Sequence, residues 1–447
     1  ALLDSNAAAF ALGRDYALEH FDCPLPIRLE RMSANDDAVL IDGNTAAALG
    51  CVYAGATVAA WYPITPSTSL VDAFGAFCRR FRKDPESGRM NVAIVQAEDE
   101  LAAVGMVIGA GWMGARSFTA TSGPGISLMG ELIGLAYYAE VPAVIFDVQR
   151  TGPSTGMPTR TQQADLLALV YASHGDTRHI ALFPGDPAEC FDFAVRAFDL
   201  AERFQTPVFV ASDLDIGMND WVVPRFRWDD AYRPDRGKVL TAEELDAGAR
   251  FARYLDVDGD GVPYRTLPGD HPRAAYFTRG SGHDSHARYT EDAAPYMEVV
   301  DRIDRKILGA AAVAPAPEVV GDDVAAAVGI VTIGGCRRAV LEARHLLALR
   351  GIPADVLRVR AFPFHDDVRA FIDRHERVFV VEQNRDGQLR TLLATETGVP
   401  IDRLESLRFY GGQPLSAPPV VVEILERLGH GQAPDAAAPR TLEVAGS

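Results

Sequence analysis

Short apolar runs separated by helical runs of about a dozen residues recur along this chain, and that rhythm limits the fold more than any other feature. Strands are expected at 57–61, 91–96, Ser117–Thr121, 142–148, 179–183 and 208–212. Between them lie helical patterns at 45–55, 69–82, 101–114, 163–171 and Pro187–Phe204. A strand, a crossover helix and another strand, repeated, give a parallel sheet. Runs such as Ala143-Val-Ile-Phe146 and Pro207-Val-Phe-Val210 show no polar alternation, as expected of strands covered on both faces. Ahead of them, the strand Ala38–Ile41 meets Asp42-Gly-Asn44, and Asn44 is read as the N-cap of the next helix.

The rhythm lapses between Gly217 and about Pro317, a region rich in Asp, Arg, Pro and Gly that also holds Trp221 and Trp228. It is too aromatic for a disordered linker and is read as an ordered excursion packed on a neighbour or partner. The Ala/Pro run 310–317 marks its end. Strands Val328–Ile333, Ala354–Val359 and 378–382 then alternate with helices at 337–350 and 366–375. The expected organisation is a linker or domain tail at 1–37, a first α/β domain at 38–225, the excursion at 226–320, a second α/β domain at 321–430 and a loose tail at 431–447. The chain opens at Ala1 without a Met, so something upstream is expected to have been removed or left out.

A net charge of -18 argues against a nucleic-acid backbone or an anionic membrane as principal partner. The longest apolar run, 101–115, falls short of the ~20 residues of a membrane span. The five cysteines, Cys23, Cys51, Cys78, Cys190 and Cys336, form no C-x-x-C pair, which disfavours a disulfide framework or a metal cluster within the chain. A reducing, cytoplasmic setting is expected.

The chemistry-bearing stretch runs from Gln96 to Asp176. The cluster Glu98-Asp-Glu100 stands at the mouth of an almost wholly apolar helix. An acid there ordinarily serves the helix dipole and its free N–H groups. A carboxyl at the edge of so apolar a helix is also partly desolvated and able to hold or share a proton with a ring nitrogen. The stiff, hydroxyl-rich loop Pro63-Ile-Thr-Pro-Ser67 follows a strand, where parallel sheets bind ligands, and is equally readable as a turn before a helix. Arg150, ending a buried strand, suits a small carboxylate or a structural ion pair. Ser122-Gly-Pro-Gly125 resembles a phosphate-binding turn only superficially, without a Lys-Ser/Thr ending, and close backbone packing is the better reading. Asp256-Val-Asp-Gly-Asp-Gly261 imitates the start of a calcium loop, but its twelfth position is Leu267, so a turn is expected. His174, His283 and Tyr289 are read as satisfied polar residues.

These motifs fall in a familiar order. Gly43-Asn-Thr-Ala-Ala-Ala-Leu-Gly50, Tyr62-Pro-Ile-Thr-Pro-Ser-Thr68, Glu98-Asp-Glu100, Thr119-Ala-Thr-Ser-Gly-Pro-Gly125, Gln149-Arg-Thr-Gly-Pro-Ser-Thr-Gly156 and Ser173-His-Gly-Asp176 come first. Tyr264-Arg-Thr-Leu-Pro-Gly269, Tyr276-Phe-Thr-Arg-Gly-Ser-Gly-His-Asp284 and Val381-Glu-Gln-Asn-Arg-Asp-Gly-Gln388 follow. Together they resemble the α subunit of the 2-oxoacid:ferredoxin oxidoreductases, in the 2-oxoglutarate-type branch. Gly280-Ser-Gly-His-Asp-Ser-His286 departs from that branch's usual Gly-Thr-Gly-His-Asp-Glu pattern, where a local difference is expected.

The resemblance implies a pyrimidine-type thiamine-diphosphate domain followed by a transketolase C-terminal-like α/β domain, with residues 1–35 the trailing edge of a γ-type domain. It makes Glu100 the acid that pairs with N1′ of the aminopyrimidine, with Glu98 the alternative. Pro63, Ile64 and Ser122 join Glu100 in holding the cofactor, and Thr65 and Arg150 grip the 2-oxoacid; a second carboxylate would need another cation, for which Arg160, in the loop after Arg150, is the candidate. A β subunit is implied to bring the diphosphate and Mg²⁺ site and a [4Fe–4S] cluster, in an (αβ)2 heterotetramer. The implied reaction uses CoA, yields an acyl-CoA (succinyl-CoA from 2-oxoglutarate) and CO₂, and reduces ferredoxin. A non-catalytic scaffold and a subunit of a non-oxidative thiamine enzyme remain the alternatives.

Overall fold

Strands buried at every position can persist only where helices cover both faces of a sheet, and two such sheets organise the chain. The computed structural model describes residues 2–22, 30, 33, 35–321 and 326–430. The Cys23-Pro-Leu-Pro-Ile stretch and the tail at 431–447 lie outside the described residues. Residues 1–38 and 39–447 form two separate units. In the first, Leu2–His20 is a helix with no buried residue.

The larger sheet of the second unit has seven strands. Across it run Ala361–Phe362, Ile180–Leu182, Pro207–Asp213, Ala143–Gln149, Ser117–Thr121, Val58–Trp61 and Ala93–Gln96. All neighbours pair in parallel except the two-residue strand Ala361–Phe362, which closes one edge antiparallel to Ile180–Leu182. The central strands Ala143–Gln149 and Pro207–Asp213 are buried throughout, as their unbroken apolar runs require. Ala93–Gln96, at the other edge, is mostly exposed.

One face of this sheet, carrying Phe118, Val144, Phe146, Val208 and Val210, packs under the helices Gly43–Tyr53, Thr68–Phe81 and Pro187–Phe204. The first of these is rich in Ala and Gly because it lies almost against the third. A methyl group at Gly50 would stand 2.5 Å from the Phe191 carbonyl oxygen. Its N-cap is Asp42, whose carboxylate accepts from the Thr45 backbone N–H at 2.8 Å. Asn44, expected to be that cap, is buried in the first turn and reaches away to the Pro66 carbonyl. The strand Ala38–Ile41 is also real but stands outside the main sheet, pairing with Trp221–Pro224.

The smaller sheet runs Leu404–Arg408, Arg377–Glu382, Val328–Ile333, Ala354–Val359 and Glu318–Val320, the last antiparallel. Its side chains obey the two-residue period of a strand. Ile330, Val356 and Phe379 face the helices Arg337–Ala348 and Ala417–Arg427. Val331, Leu357 and Val380 share a core with Ile145 and Phe209 of the larger sheet, so the two sheets are held by one apolar layer.

The excursion is ordered, and it packs on the first sheet's own helices and loops. Its helix Ala293–Gly309 delivers Arg302 and Lys306 to Glu140, all three buried. A second set joins the buried Arg116 to the buried Glu202 and the half-buried Asp199, each at 2.7 Å, and to the Tyr232 hydroxyl at 3.0 Å.

Candidate active site

In a parallel sheet the loops that leave the C-terminal strand ends all emerge along one edge. Here the adjacent strands ending at Gln96, Trp61, Thr121 and Gln149 open onto Ala97-Glu-Asp-Glu100, Tyr62-Pro-Ile-Thr-Pro-Ser67, Ser122-Gly-Pro-Gly125 and Arg150. Topology alone gathers four segments scattered between Tyr62 and Arg150 in the sequence.

Within the acidic cluster the roles separate. Asp99 is the N-cap of helix Glu100–Trp112, its carboxylate accepting from the Ala102 N–H at 2.6 Å. Glu98 is exposed. Glu100 is only 8% exposed, and no donor among the described residues reaches its carboxylate. Its oxygens are not among the enclosed, unpartnered atoms, so they reach solvent and stand open to a donor from a ligand. The ordinary structural role of an acid at this helix end is already filled by its neighbour.

The glycine turn forms the wall beside Glu100. A methyl group at Gly125 would fall 1.9 Å from Thr121 Oγ1 and 2.9 Å from Glu100 Cγ. Ser122 is the N-cap of helix Gly123–Tyr138, yet its buried hydroxyl makes no capping bond and has no partner among the described residues. Gly125→Ala is accordingly expected to cost about 1–3 kcal/mol by overpacking. It should also push Glu100 aside, so thermal melts should show the loss of stability and calorimetric titration a weaker cofactor affinity.

Arg150 is 7% exposed and donates through Nη1 to the Thr65 carbonyl at 2.6 Å, while its Nε is buried without a partner. The Thr65 side chain is exposed. The loop around it is braced from below: Ser67 and Thr68 hydroxyls donate to the Ile64 carbonyl at 3.0 and 3.2 Å, and Asn44 Nδ2 donates to the Pro66 carbonyl at 2.8 Å. Pro63 is exposed and Ile64 half-buried. Arg160 is exposed, donates back to the Thr159 carbonyl at 3.0 Å, and packs its stem where a methyl group at Gly412 would sit 2.9 Å from its Cβ. Contacts thus join Arg150 to Thr65 and Glu100 to the glycine turn, while Arg160 stands apart.

Sequence reasoning missed two acids behind this edge, the wholly buried Asp147 and the half-buried Asp165, whose Oδ2 is enclosed without a partner. The signal was present, since Asp147 interrupts the apolar run Ala143-Val-Ile-Phe-Asp-Val148 of a central strand. The motif Val381–Gln388 is a clamp for the segment that carries Asp165. Asn384 donates to the Gln163 carbonyl at 3.0 Å, and Gln388 donates to the Ala164 carbonyl at 2.6 Å and accepts from the Leu167 N–H.

Other candidates take their structural roles. The ammonium of Lys238 sits where the calcium-like loop would hold a cation, 2.7 Å from Asp258 and 2.8 Å from Asp260. His283 is buried between the Tyr254 and Tyr138 rings, and burial lowers its pKa. His174 faces Glu131 on the surface, and Tyr289 donates to Glu291. A cleft of about 480 Å³ between 173–177 and 280–282 contains none of Glu100, Thr65 or Arg150. The described cysteines, Cys51, Cys78, Cys190 and Cys336, are buried and free. No helix among the described residues is long and apolar enough to cross a membrane.

The family model for the thiamine-diphosphate-binding part of pyruvate flavodoxin/ferredoxin oxidoreductases matches residues 49–225. A 2-oxoacid:ferredoxin oxidoreductase α subunit of Aeropyrum pernix is 35% identical over 93% of this chain and 64% of its own length. The 2-oxoglutarate synthase subunit KorA of Methanothermobacter thermautotrophicus is 35% identical over 87% of this chain and 94% of its own length. The chain belongs to the α subunits of the 2-oxoacid:ferredoxin oxidoreductases.

This α subunit is also similar to the solved 2-oxoglutarate:ferredoxin oxidoreductase of Magnetococcus marinus, captured with 2-oxoglutarate, coenzyme A and succinyl-CoA. The TM-score is 0.84 at 30% identity, covering 95% of this chain and 71% of that one. The α subunit spans 64% and 59% of the lengths of the Aeropyrum pernix and Saccharolobus solfataricus relatives. Its fold is the expected one, a thiamine-diphosphate-binding parallel-sheet domain followed by a second α/β domain.

Proposed function

We propose that this chain is the pyrimidine-binding side of a thiamine-dependent enzyme that oxidatively decarboxylates a 2-oxoacid, with 2-oxoglutarate the favoured substrate. CoA would accept the acyl group as succinyl-CoA and ferredoxin the electrons. The observation that carries this reading is Glu100 at the C-terminal edge of the sheet, a largely buried side chain whose carboxyl has no partner among the described residues. Thiamine diphosphate, when bound, supplies the nucleophilic carbon and electron sink of decarboxylation. The residues present fit it: Glu100 offers a carboxyl to N1′, the unpartnered Ser122 hydroxyl faces the same turn, and Gly125 keeps the space beside Glu100 clear.

Each residue then has a defined task. Glu100 holds or shares a proton at N1′. Arg150, anchored by Thr65, presents a charge-assisted donor to the substrate carboxylate. Arg160, exposed on the following loop, is the cation for the second carboxylate of 2-oxoglutarate. The names of the Methanothermobacter and Magnetococcus relatives support that choice of substrate.

The rest of the site is assigned to a β subunit that brings the diphosphate, Mg²⁺ and [4Fe–4S] parts, in an (αβ)2 assembly. Leu101, beside Glu100, and Leu128, on the next helix, are 41% and 58% exposed. Apolar surface at a cofactor site's mouth supports coverage by another chain.

The test is the co-expressed complex with thiamine diphosphate, CoA and a low-potential dye. Reduction with 2-oxoglutarate is expected; no reduction with any 2-oxoacid would overturn the reading. Arg150→Ala is expected to raise KM for the 2-oxoacid at least tenfold, because a charge-assisted bond of about 1.5–3 kcal/mol is lost. Steady-state kinetics on that variant measures it.

A further inference from the structure

The loop that carries Arg160 is held from both sheets. It leaves the larger sheet at Gln149 and folds back on itself, so that the Arg160 carbonyl accepts from the Thr151 N–H at 2.9 Å. The second cation assigned to the substrate therefore starts from a backbone bonded to the residue that follows the first, Arg150. The other hold comes from the smaller sheet. Strands Arg377–Glu382 and Leu404–Arg408 pair there and run out into the loops 383–387 and 409–413. Thr161 N–H donates to the Gly412 carbonyl at 3.2 Å, and Gln163 N–H donates to the Gln383 carbonyl at 2.9 Å. Gln383 Nε2 in turn donates to the Gln413 carbonyl at 3.0 Å, tying the two loops together.

At the centre of this contact stands a residue without a side chain. Gly412 is buried between two exposed neighbours, Gly411 and Gln413. A methyl group on it would stand 2.9 Å from Arg160 Cβ, 3.3 Å from Arg160 Cγ and 3.0 Å from Met157 Cε. Its φ of 77° also lies in the left-handed region, where a Cβ is disfavoured in its own right. The stem of Arg160 is thus seated in a notch that glycine leaves open, and the smaller sheet sets its direction. The guanidinium beyond the stem is uncommitted. It donates to the carbonyl and hydroxyl of its neighbour Thr159 at 3.0 and 3.4 Å, and no carboxylate among the described residues pairs with it.

A cation that recognises a distal carboxylate must be aimed as well as charged, since a displacement of about 1 Å costs a large part of what positioning contributes. We propose that Gly412 is a positioning residue for substrate choice: the notch it leaves lets the smaller sheet aim Arg160 at the second carboxylate of a dicarboxylic 2-oxoacid. This rests on the reading of Arg160 as the cation for that carboxylate. Preference for a dicarboxylate over a monocarboxylate is then a property of both sheets, although Gly412 brings no charge of its own.

Steady-state kinetics of the co-expressed complex tests this with Gly412→Ala, Arg160→Ala and the double variant. KM for 2-oxoglutarate is expected to rise about tenfold in each single variant, as one charge-assisted bond is lost, and no further in the double variant. In Gly412→Ala, kcat should stay near the parent's, and KM for 2-oxobutyrate, which has no second carboxylate, should not move. A merely structural role for Gly412 would shift both substrates alike and multiply with Arg160→Ala; either result overturns the proposal. Should Gly412→Ala fail to accumulate, Met157→Ala carries the test, since Met157 is exposed and its loss opens the notch without touching the core. It should raise KM for 2-oxoglutarate by a smaller factor and leave 2-oxobutyrate alone; an unchanged ratio there overturns the proposal. If Arg160→Ala raises KM for 2-oxoglutarate while Gly412→Ala does not, the inference is wrong and the cation assignment stands. If Arg160→Ala uses 2-oxoglutarate as the parent does, the cation assignment fails and the proposal falls with it.

Discussion

Glu100→Gln is expected to silence the complex, lowering 2-oxoacid-dependent dye reduction by about 10²–10⁴-fold, the range for losing a positioned proton-transfer group. The amide keeps the shape of the side chain but cannot share a proton with a ring nitrogen. Stability should be nearly unchanged, because the helix N-cap is Asp99, and its bond to Ala102 is untouched. Glu98→Gln is the control. Its side chain is exposed, and the activity of that variant should match the parent's. Thermal melts alongside the dye assay separate the two outcomes. A silent Glu98 variant with an active Glu100 variant would move the proton-sharing role two residues back.

Glu140→Gln is expected to have the largest effect on stability, about 3–5 kcal/mol. Glu140 is fully buried and answers two buried cations, Arg302 and Lys306, the latter at 2.7 Å. Burial alone would raise the Glu140 pKa, but Arg302 and Lys306 hold it well below the usual carboxylate range. Burial still takes Lys306 down to about 8 in spite of Glu140, whereas Arg302 is raised, so Arg302 is the stronger partner. A depressed carboxylate contributes stability above its unfolded value, near 4.3, and that contribution is lost as pH falls through the folded value. Chemical denaturation at pH 7 should show the full loss in Glu140→Gln. Below pH 4 the difference from the parent should narrow. An equal difference at both pH values would mean that the charge is not what holds helix Ala293–Gly309 in place.

The two sheets were legible in the sequence because an apolar run's length and its lack of alternation are local properties. Val328–Ile333 and Ala354–Val359 are found where the runs predict them, and Pro187–Phe204 is bounded by its own Pro and by Asp186, which caps it. Capping was less legible. Asp42 and Asn44 are both good cap residues, and only the path of the chain shows that Asn44 is needed elsewhere, bracing the loop at Pro66.

By itself the sequence determined the class of fold, the order of its motifs and the family they belong to, since each depends on residue type and spacing along one dimension. Tertiary structure alone decided that Glu98 is exposed, that Asp99 caps the helix and that Glu100 is largely buried without a partner, because burial depends on segments remote in the chain.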